Sequence, residues 1–323
     1  MDYTQLGRTG LKVSRLCLGT MNFGPKTTEE DSYTIMDKAL DVGINFFDTA
    51  NVYGWKLGEG VTEQIVGRWF AQGGGRREKV VIATKVYGRM GKWPNQSRLS
   101  ALSIRQAVDG SLKRLQTDYI DIYQMHHIDR NAPWEEVWQA METLVQQGKI
   151  LYVGSSNFAG WHIAKANEIA KSRNFMGLVS EQCLYNLKDR MVELEVLPAC
   201  RDYGLAVIPW SPLASGLLGA SVGADKSGRR AEKDVKEDYK KFGSQLDKYQ
   251  KFCRKKGEQP ADVALAWLLA NPIVTSPIIG PRTMEQLTGS LRALKIKFSK
   301  SDLEELDTIW PGPGGEAPEA FAW

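Results

Sequence analysis

Short β-rich runs alternate with helical patterns along nearly the whole chain at a period of roughly 30 residues, and this alternation constrains the fold more than any other feature. The strand candidates are Leu16–Gly19, Asn45–Phe47, Val80–Ala83, Ile120–Tyr123, Tyr152–Val153, Leu178–Ser180, Ala206–Pro209 and Pro277–Ile279. Helical patterns fall between them at Thr28–Val42, Thr62–Phe70, Ala101–Leu115, Pro133–Gln147, Ala159–Ser172, Leu194–Tyr203 and Pro260–Ala270. Several open on cap signals, such as Thr27-Thr28-Glu29-Glu30 and Asn131-Ala132-Pro133. Eight strands alternating with helices, without a break in composition, predict one α/β domain over residues 1–323. Its expected form is an eight-stranded parallel (β/α) TIM barrel, capped by an N-terminal hairpin of Asp2–Thr4 and Leu11–Val13. The rival, a doubly wound sheet, needs a G-x-G-x-x-G turn after its first strand, and Leu18-Gly19-Thr20-Met21-Asn22-Phe23-Gly24 lacks that spacing. Gly73-Gly74-Gly75 reads as a helix stop.

Composition excludes several partners. The net charge of +4 comes from 42 basic and 38 acidic side chains with no long basic run, so nothing marks a nucleic-acid surface. Apolar stretches fall short of the ~20 residues a membrane helix needs, and the N-terminus has no charged-then-apolar signal. A soluble cytoplasmic protein is expected. Cys17, Cys183, Cys200 and Cys253 are far apart, which predicts buried thiols in place of disulfides, and the histidines His126, His127 and His162 are too few for a histidine-based metal centre. Two irregular regions stand out: Ala214–Glu237, which could fold over a ligand, and the tail Pro311–Trp323, whose aromatic end is expected to dock.

Chemistry gathers where strands end. Asp48, Tyr53, Lys85 and His126 each follow an apolar β-rich run, and the carboxyl ends of barrel strands are where active sites are built. A phenol can protonate an alkoxide only if its pKa falls below the ~10 of free tyrosine, and a nearby ammonium does this. Lys85, fixed by Asp48, would favour the phenolate of Tyr53, and His126 would hold the substrate oxygen. Lys85 alone could instead be a Schiff-base lysine of a barrel lyase. His127 is expected to point away from His126, since side chains alternate in extended chain.

The motifs Asp48-Thr49-Ala50-Asn51-Val52-Tyr53-Gly54, Thr84-Lys85, Gln124-Met125-His126, Val153-Gly154-Ser155-Ser156-Asn157-Phe158, Trp210-Ser211-Pro212-Leu213 and Ile279-Gly280-Pro281-Arg282 occur in this order. In them the chain resembles the aldo-keto reductases, within the bacterial branch related to potassium-channel β-subunits and loosely the reductases of deoxysugar pathways. The resemblance implies an NADPH-dependent reduction of a small-molecule carbonyl, with Tyr53 as general acid, Lys85 and Asp48 as its tuners, and His126 orienting the carbonyl. It also implies cofactor contacts at Thr20, Met21, Ser156, Asn157, Gln182, Trp210, Ser211, Leu213, Gly216, Leu218, Gly280, Arg282 and Gln286. Ser156, Asn157 and Gln182 would hold the nicotinamide carboxamide, Trp210 would lie against the ring, and Arg282 with Gln286 would take a phosphate. Gly289-Ser290 departs from the usual Glu-Asn adenine contacts. A sugar-nucleotide ketone or enone as substrate, a regulatory NADPH-binding subunit and a homo-oligomer stay open.

Overall fold

A computed structural model of the protein describes residues 1–219 and 233–322. The strands are β1 (Tyr3–Gln5), β2 (Lys12–Ser14), β3 (Cys17–Gly19), β4 (Phe46–Asp48), β5 (Val81–Val86), β6 (Ile120–Met125), β7 (Ile150–Ser156), β8 (Leu178–Gln182), β9 (Ala206–Val207) and β10 (Ile278–Ile279). The helices are α1 (Glu29–Asp41), α2 (Val61–Phe70), α3 (Arg76–Lys79), α4 (Ala101–Leu115), α5 (Trp134–Gln146), α6 (Gly160–Ser172), α7 (Val196–Asp202), α8 (Lys233–Lys241), α9 (Gly243–Lys256), α10 (Pro260–Ala270), α11 (Met284–Ser290), α12 (Lys300–Ile309) and α13 (Glu319–Ala322).

β1 and β2 pair antiparallel, and β3 to β10 form one parallel sheet in the order β10-β3-β4-β5-β6-β7-β8-β9. Its ends meet: Ile278 N–H donates to Pro209 O and Thr275 N–H to Val207 O, both at 2.9 Å, beside a parallel bridge of Val207 to Val274. The sheet thereby curls into a (β/α) barrel. Side chains of one strand face point inside, where Cys17, Phe46, Val81, Ala83, Ile122, Val179, Ala206 and Ile208 pack with Leu6 and Val13 of the hairpin, which plugs the amino end. The other face meets the helices, as the pattern of parallel strands buried on both sides requires. In α5 the buried residues Trp134, Val137, Trp138, Met141 and Leu144 recur at helical spacing, a single apolar stripe laid on the sheet.

The caps are mixed. Thr28 Oγ1 accepts from Asp31 N–H as expected, but α5 starts without a side-chain cap, with Pro133 at the N-cap position. Of the stretch Ala214–Glu237, expected to be irregular, residues 220–232 lie outside the described residues, and an unexpected helix, α8, begins inside it at Lys233. The tail docks through Ala317 N–H to Leu194 O at 3.0 Å and the Arg201–Glu316 ion pair at 2.7 Å, while Trp323 lies outside the described residues. All four cysteines are buried and free. Among the described residues no helix is long and apolar enough to cross a membrane.

Candidate active site

Inside the barrel the apolar plug gives way to polar groups two residues further along the same strand face. Phe46 leads to Asp48, Ala83 to Lys85 and Ile122 to Gln124, because side chains of one face recur every second residue. Lys85 therefore stands within β5, not beyond its end as expected from the sequence, because the strand runs on to Val86. Its side chain is fully buried, and Nζ donates to Asp48 Oδ2 at 2.6 Å, Thr49 O at 2.8 Å and Tyr53 Oη at 3.1 Å. Those bonds use every proton an ammonium has. Burial alone would lower the Lys85 pKa, yet Asp48 and Tyr53 outweigh it and hold the amine above its ordinary value. The other Asp48 oxygen, Oδ1, accepts from Gln124 Nε2 at 3.1 Å and Gln182 Nε2 at 2.7 Å, so the buried carboxylate is satisfied on both sides.

Gln182 reaches this network through a bulge. β7 and β8 pair Val153 with Leu178 and Gly154 with Ser180, which leaves Val179 as an extra residue on β8. The step reverses the alternation: Val179 faces the interior and so does Gln182, while Glu181 turns to the outer face. Gly154 is required opposite, because a Cβ there would lie 2.5 Å from Ser180 Oγ and 3.1 Å from Gln124 Cγ.

Tyr53 comes from the turn after β4, its N–H bonded to Ala50 O at 3.1 Å. The following Gly54 has φ of +153°, and a Cβ there would meet Gly58 O at 1.8 Å, so the turn that aims the phenol admits only glycine. His126 sits one residue beyond β6, its N–H tied to Val86 O at 2.9 Å and its ring edge-on to the Tyr53 ring with centroids 6.2 Å apart. Burial, then the positive charge of Lys85, push its pKa down to about 3, so the imidazole is neutral near pH 7. His127 does not point away: its ring stacks on that of His126 at 5.1 Å and 10°, because the strand has ended and alternation no longer applies.

The other predicted positions surround the same end of the barrel. Thr20 donates from N–H and Oγ1 to Asp48 O, both at 2.9 Å, with half-buried Met21 after it. Asn22 Nδ2 donates to Gly280 O at 2.9 Å, while Asn22 Oδ1 is buried without a partner among the described residues. Asn157, with φ of +59°, donates from Nδ2 to Ser156 Oγ at 2.9 Å and His126 O at 3.2 Å, and its Oδ1 accepts from Trp210 Nε1 at 3.0 Å. This links the catalytic histidine candidate to the expected nicotinamide contacts. Ser211, Ala214, Ser215 and Gly216 all have positive φ, and the Ser211 to Leu218 turn is closed by Gly216 and Leu218 N–H groups on Leu213 O at 2.9 and 3.1 Å. Leu218 differs from the rest in packing as a buried member of the apolar core. At the start of α11, Gln286 Oε1 accepts from Arg282 N–H at 2.8 Å, so Gln286 shapes the turn while the Arg282 guanidinium, among the described residues, has no hydrogen-bond partner.

Sequence reasoning assigned no role to Gln124, Thr49 or Glu181. Gln124 was readable from its place two residues after Ile122, whereas a bridging carbonyl such as that of Thr49 leaves no sequence signal.

Comparison with known proteins agrees with this architecture. The model of the Aldo/keto reductase family matches residues 15–311. The chain is 58% identical to the uncharacterized oxidoreductase YrpG of Bacillus subtilis over the full length of both chains. It is 33% identical to versiconal hemiacetal acetate reductase of Aspergillus parasiticus, covering 95% of this chain and 96% of that one. It is also 33% identical to a probable voltage-gated potassium channel subunit beta of Oryza sativa subsp. japonica, covering 92% of each. With a family match across most of its length and relatives aligned end to end, the chain is an oxidoreductase that belongs to the aldo/keto reductase family.

Proposed function

We propose that the protein reduces an aldehyde or ketone with NADPH, Tyr53 acting as general acid. The observation that carries this reading is the buried Lys85, whose three donors go to Asp48, Thr49 and Tyr53. An ammonium 3.1 Å from the phenol oxygen favours the phenolate left after proton transfer, and the Asp48 carboxylate keeps that ammonium charged. A neutral His126 gives no proton to the reaction. It offers a hydrogen bond that orients the carbonyl oxygen toward Tyr53. The raised pKa of Lys85 also argues against a Schiff-base lyase, which needs an unprotonated amine with a free lone pair.

The residues suit the cofactor. Trp210 is anchored through Asn157, the left-handed run at Ala214, Ser215 and Gly216 is a compact turn closed by its own N–H groups, and the Arg282 guanidinium, without a hydrogen-bond partner among the described residues, suits a phosphate. Asn22 Oδ1, buried and without a partner among the described residues, could accept from a donor on the cofactor. When bound, NADPH supplies the hydride; Ser156, Asn157 and Gln182 would hold its carboxamide and Trp210 its ring. Gln182 already donates to Asp48, so it couples the acid–base unit to the cofactor side. The exposed Trp55 and Trp93 and the half-buried Tyr87 would rim the substrate end. Four free buried thiols suit a single-domain enzyme of the reducing cytoplasm.

The test uses NADPH deuterated at its transferable position with a panel of aldehydes, ketones and keto-sugar nucleotides. Deuterium should appear on the carbinol carbon of the product. A borohydride-trapped adduct on Lys85, without label transfer, would establish the lyase instead.

A further inference from the structure

Glu181 is a fully buried carboxyl that proton delivery does not use. On the outer face of the barrel wall it is the cross-strand partner of Ser155, which is buried as well. Ser155 Oγ bonds Glu181 Oε2 and also approaches Ser180 O at 3.2 Å, and Phe158 N–H donates to Glu181 Oε1 at 3.0 Å. The carboxyl thus grips both ends of the segment Ser155–Phe158. Between those ends lies Asn157, whose φ of +59° lies in the left-handed region that residues with side chains adopt only where the surroundings fix it. A third bond, Asn157 N–H to Gln182 O at 3.0 Å, ties the same segment to the residue next to Glu181.

The carboxyl is suited to this task in its neutral form. Burial raises its pKa to about 8 against the opposing pull of Ser155 and the Phe158 and Asn157 N–H groups. Near neutral pH it carries a proton that it can give to Ser155 Oγ, freeing the hydroxyl proton for Ser180 O. The thiols that face it, Cys183 just beyond β8 and Cys200 on α7, are both pushed well above their ordinary value, first by burial and then by Glu181, and stay neutral.

We propose that Glu181 is a positioning residue for the cofactor: through Ser155 and Phe158 it fixes the turn in which Ser156 and Asn157 face the nicotinamide carboxamide. The proposal rests on the NADPH reading above and adds a residue that touches neither cofactor nor substrate. Replacing Glu181 by Leu keeps apolar bulk but leaves the Phe158 N–H and the Ser155 hydroxyl without their partner. Replacing it by Gln restores both bonds, Oε1 accepting from Phe158 and Nε2 donating to Ser155.

The experiment measures NADPH affinity by quenching of tryptophan fluorescence, together with kcat and both KM values, on the intact protein and on Glu181→Leu, Glu181→Gln and Ser155→Ala. Glu181→Leu should weaken NADPH binding about tenfold and raise KM for NADPH alike, with KM for the carbonyl unchanged. Glu181→Gln should return affinity to within about threefold of the original, and Ser155→Ala should fall between. Circular dichroism checks that each variant is folded; if Glu181→Leu is not, Ser155→Ala decides by the same split. A folded Glu181→Leu or Ser155→Ala that binds NADPH as the original does overturns the proposal, as does an equal rise in both KM values. Failure of the unmodified protein to bind NADPH would instead overturn the cofactor reading itself.

Discussion

The two halves of the barrel hold their functional residues in different ways. From β5 to β8 the strands are 5–7 residues long, and Lys85, Gln124, Ser156 and Gln182 lie on them. Across the barrel β9 and β10 have 2 residues each and β3 has 3, and the residues expected to bind cofactor there, Thr20, Trp210, Ser211, Gly216 and Arg282, lie on the loops that follow. The long arc fixes side chains through continuous ladders and a bulge. The short arc fixes backbone through left-handed turns at Ser211 and Ala214–Gly216. Proton delivery needs Tyr53, on the turn after β4, held within reach of Lys85, which the β5 ladder fixes; following an extended dinucleotide needs shaped loops, which the short arc supplies. Changes at Lys85 should therefore alter chemistry and stability together, changes at Ser155, Ser156, Glu181 or Gln182 should alter cofactor binding at its nicotinamide end, and changes in the short arc should alter cofactor affinity alone.

The sharpest way to break this contrast is Lys85→Met. It leaves Asp48 charged and buried without its cation, which should cost about 3–5 kcal/mol in denaturant unfolding and lower kcat by ~10²–10⁴-fold. Loss of rate with unchanged stability would mean that the pair is not structural. Arg282→Ala comes next. It should weaken NADPH binding by roughly 10–100-fold and leave NADH binding and thermal stability nearly unchanged, as a lost charge-assisted phosphate contact would. Equal losses for both cofactors would remove Arg282 from the phosphate. Removing the exposed Arg201–Glu316 pair with Arg201→Ala should shift stability by less than about 1 kcal/mol, which sets the scale for the buried pair.

A separate effect is in pH dependence. Glu181 titrates at about 8 in the folded chain and near ~4.3 when unfolded, so between those values the folded state binds more protons. Its contribution to stability is full below ~4.3 and is lost as pH rises through about 8. Melting temperatures of Glu181→Gln across this range should lack that decline. A parallel decline in both proteins would place its source elsewhere.

Strands and helices from Leu16 to Ala270 were largely legible because apolar periodicity and caps reveal elements that bury one face. Helices α3, α8, α9, α12 and α13 were not assigned. α8 is charged along its length, and α3 and α13 have only 4 residues each, so none of these three shows a clear apolar stripe. The chemistry-bearing residues Asp48, Tyr53, Lys85 and His126 were legible from their place after apolar runs, and the structure brings Asp48, Lys85 and Tyr53 into direct contact. Hidden from sequence were features set by register. The bulge at Val179 turns Gln182 inward and Glu181 outward, reversing what alternation from Val179 predicts, and the end of β6 at Met125 lets His127 stack on His126.

The most direct test of the acid–base unit is Tyr53→Phe, measured for NADPH quenching and for NADPH oxidation with the best carbonyl of the panel. Cofactor affinity should stay within about twofold of the original and kcat should fall by ~10²–10⁴-fold, since only the transferred proton has been removed. A variant that reduces the carbonyl at near the original rate would contradict it.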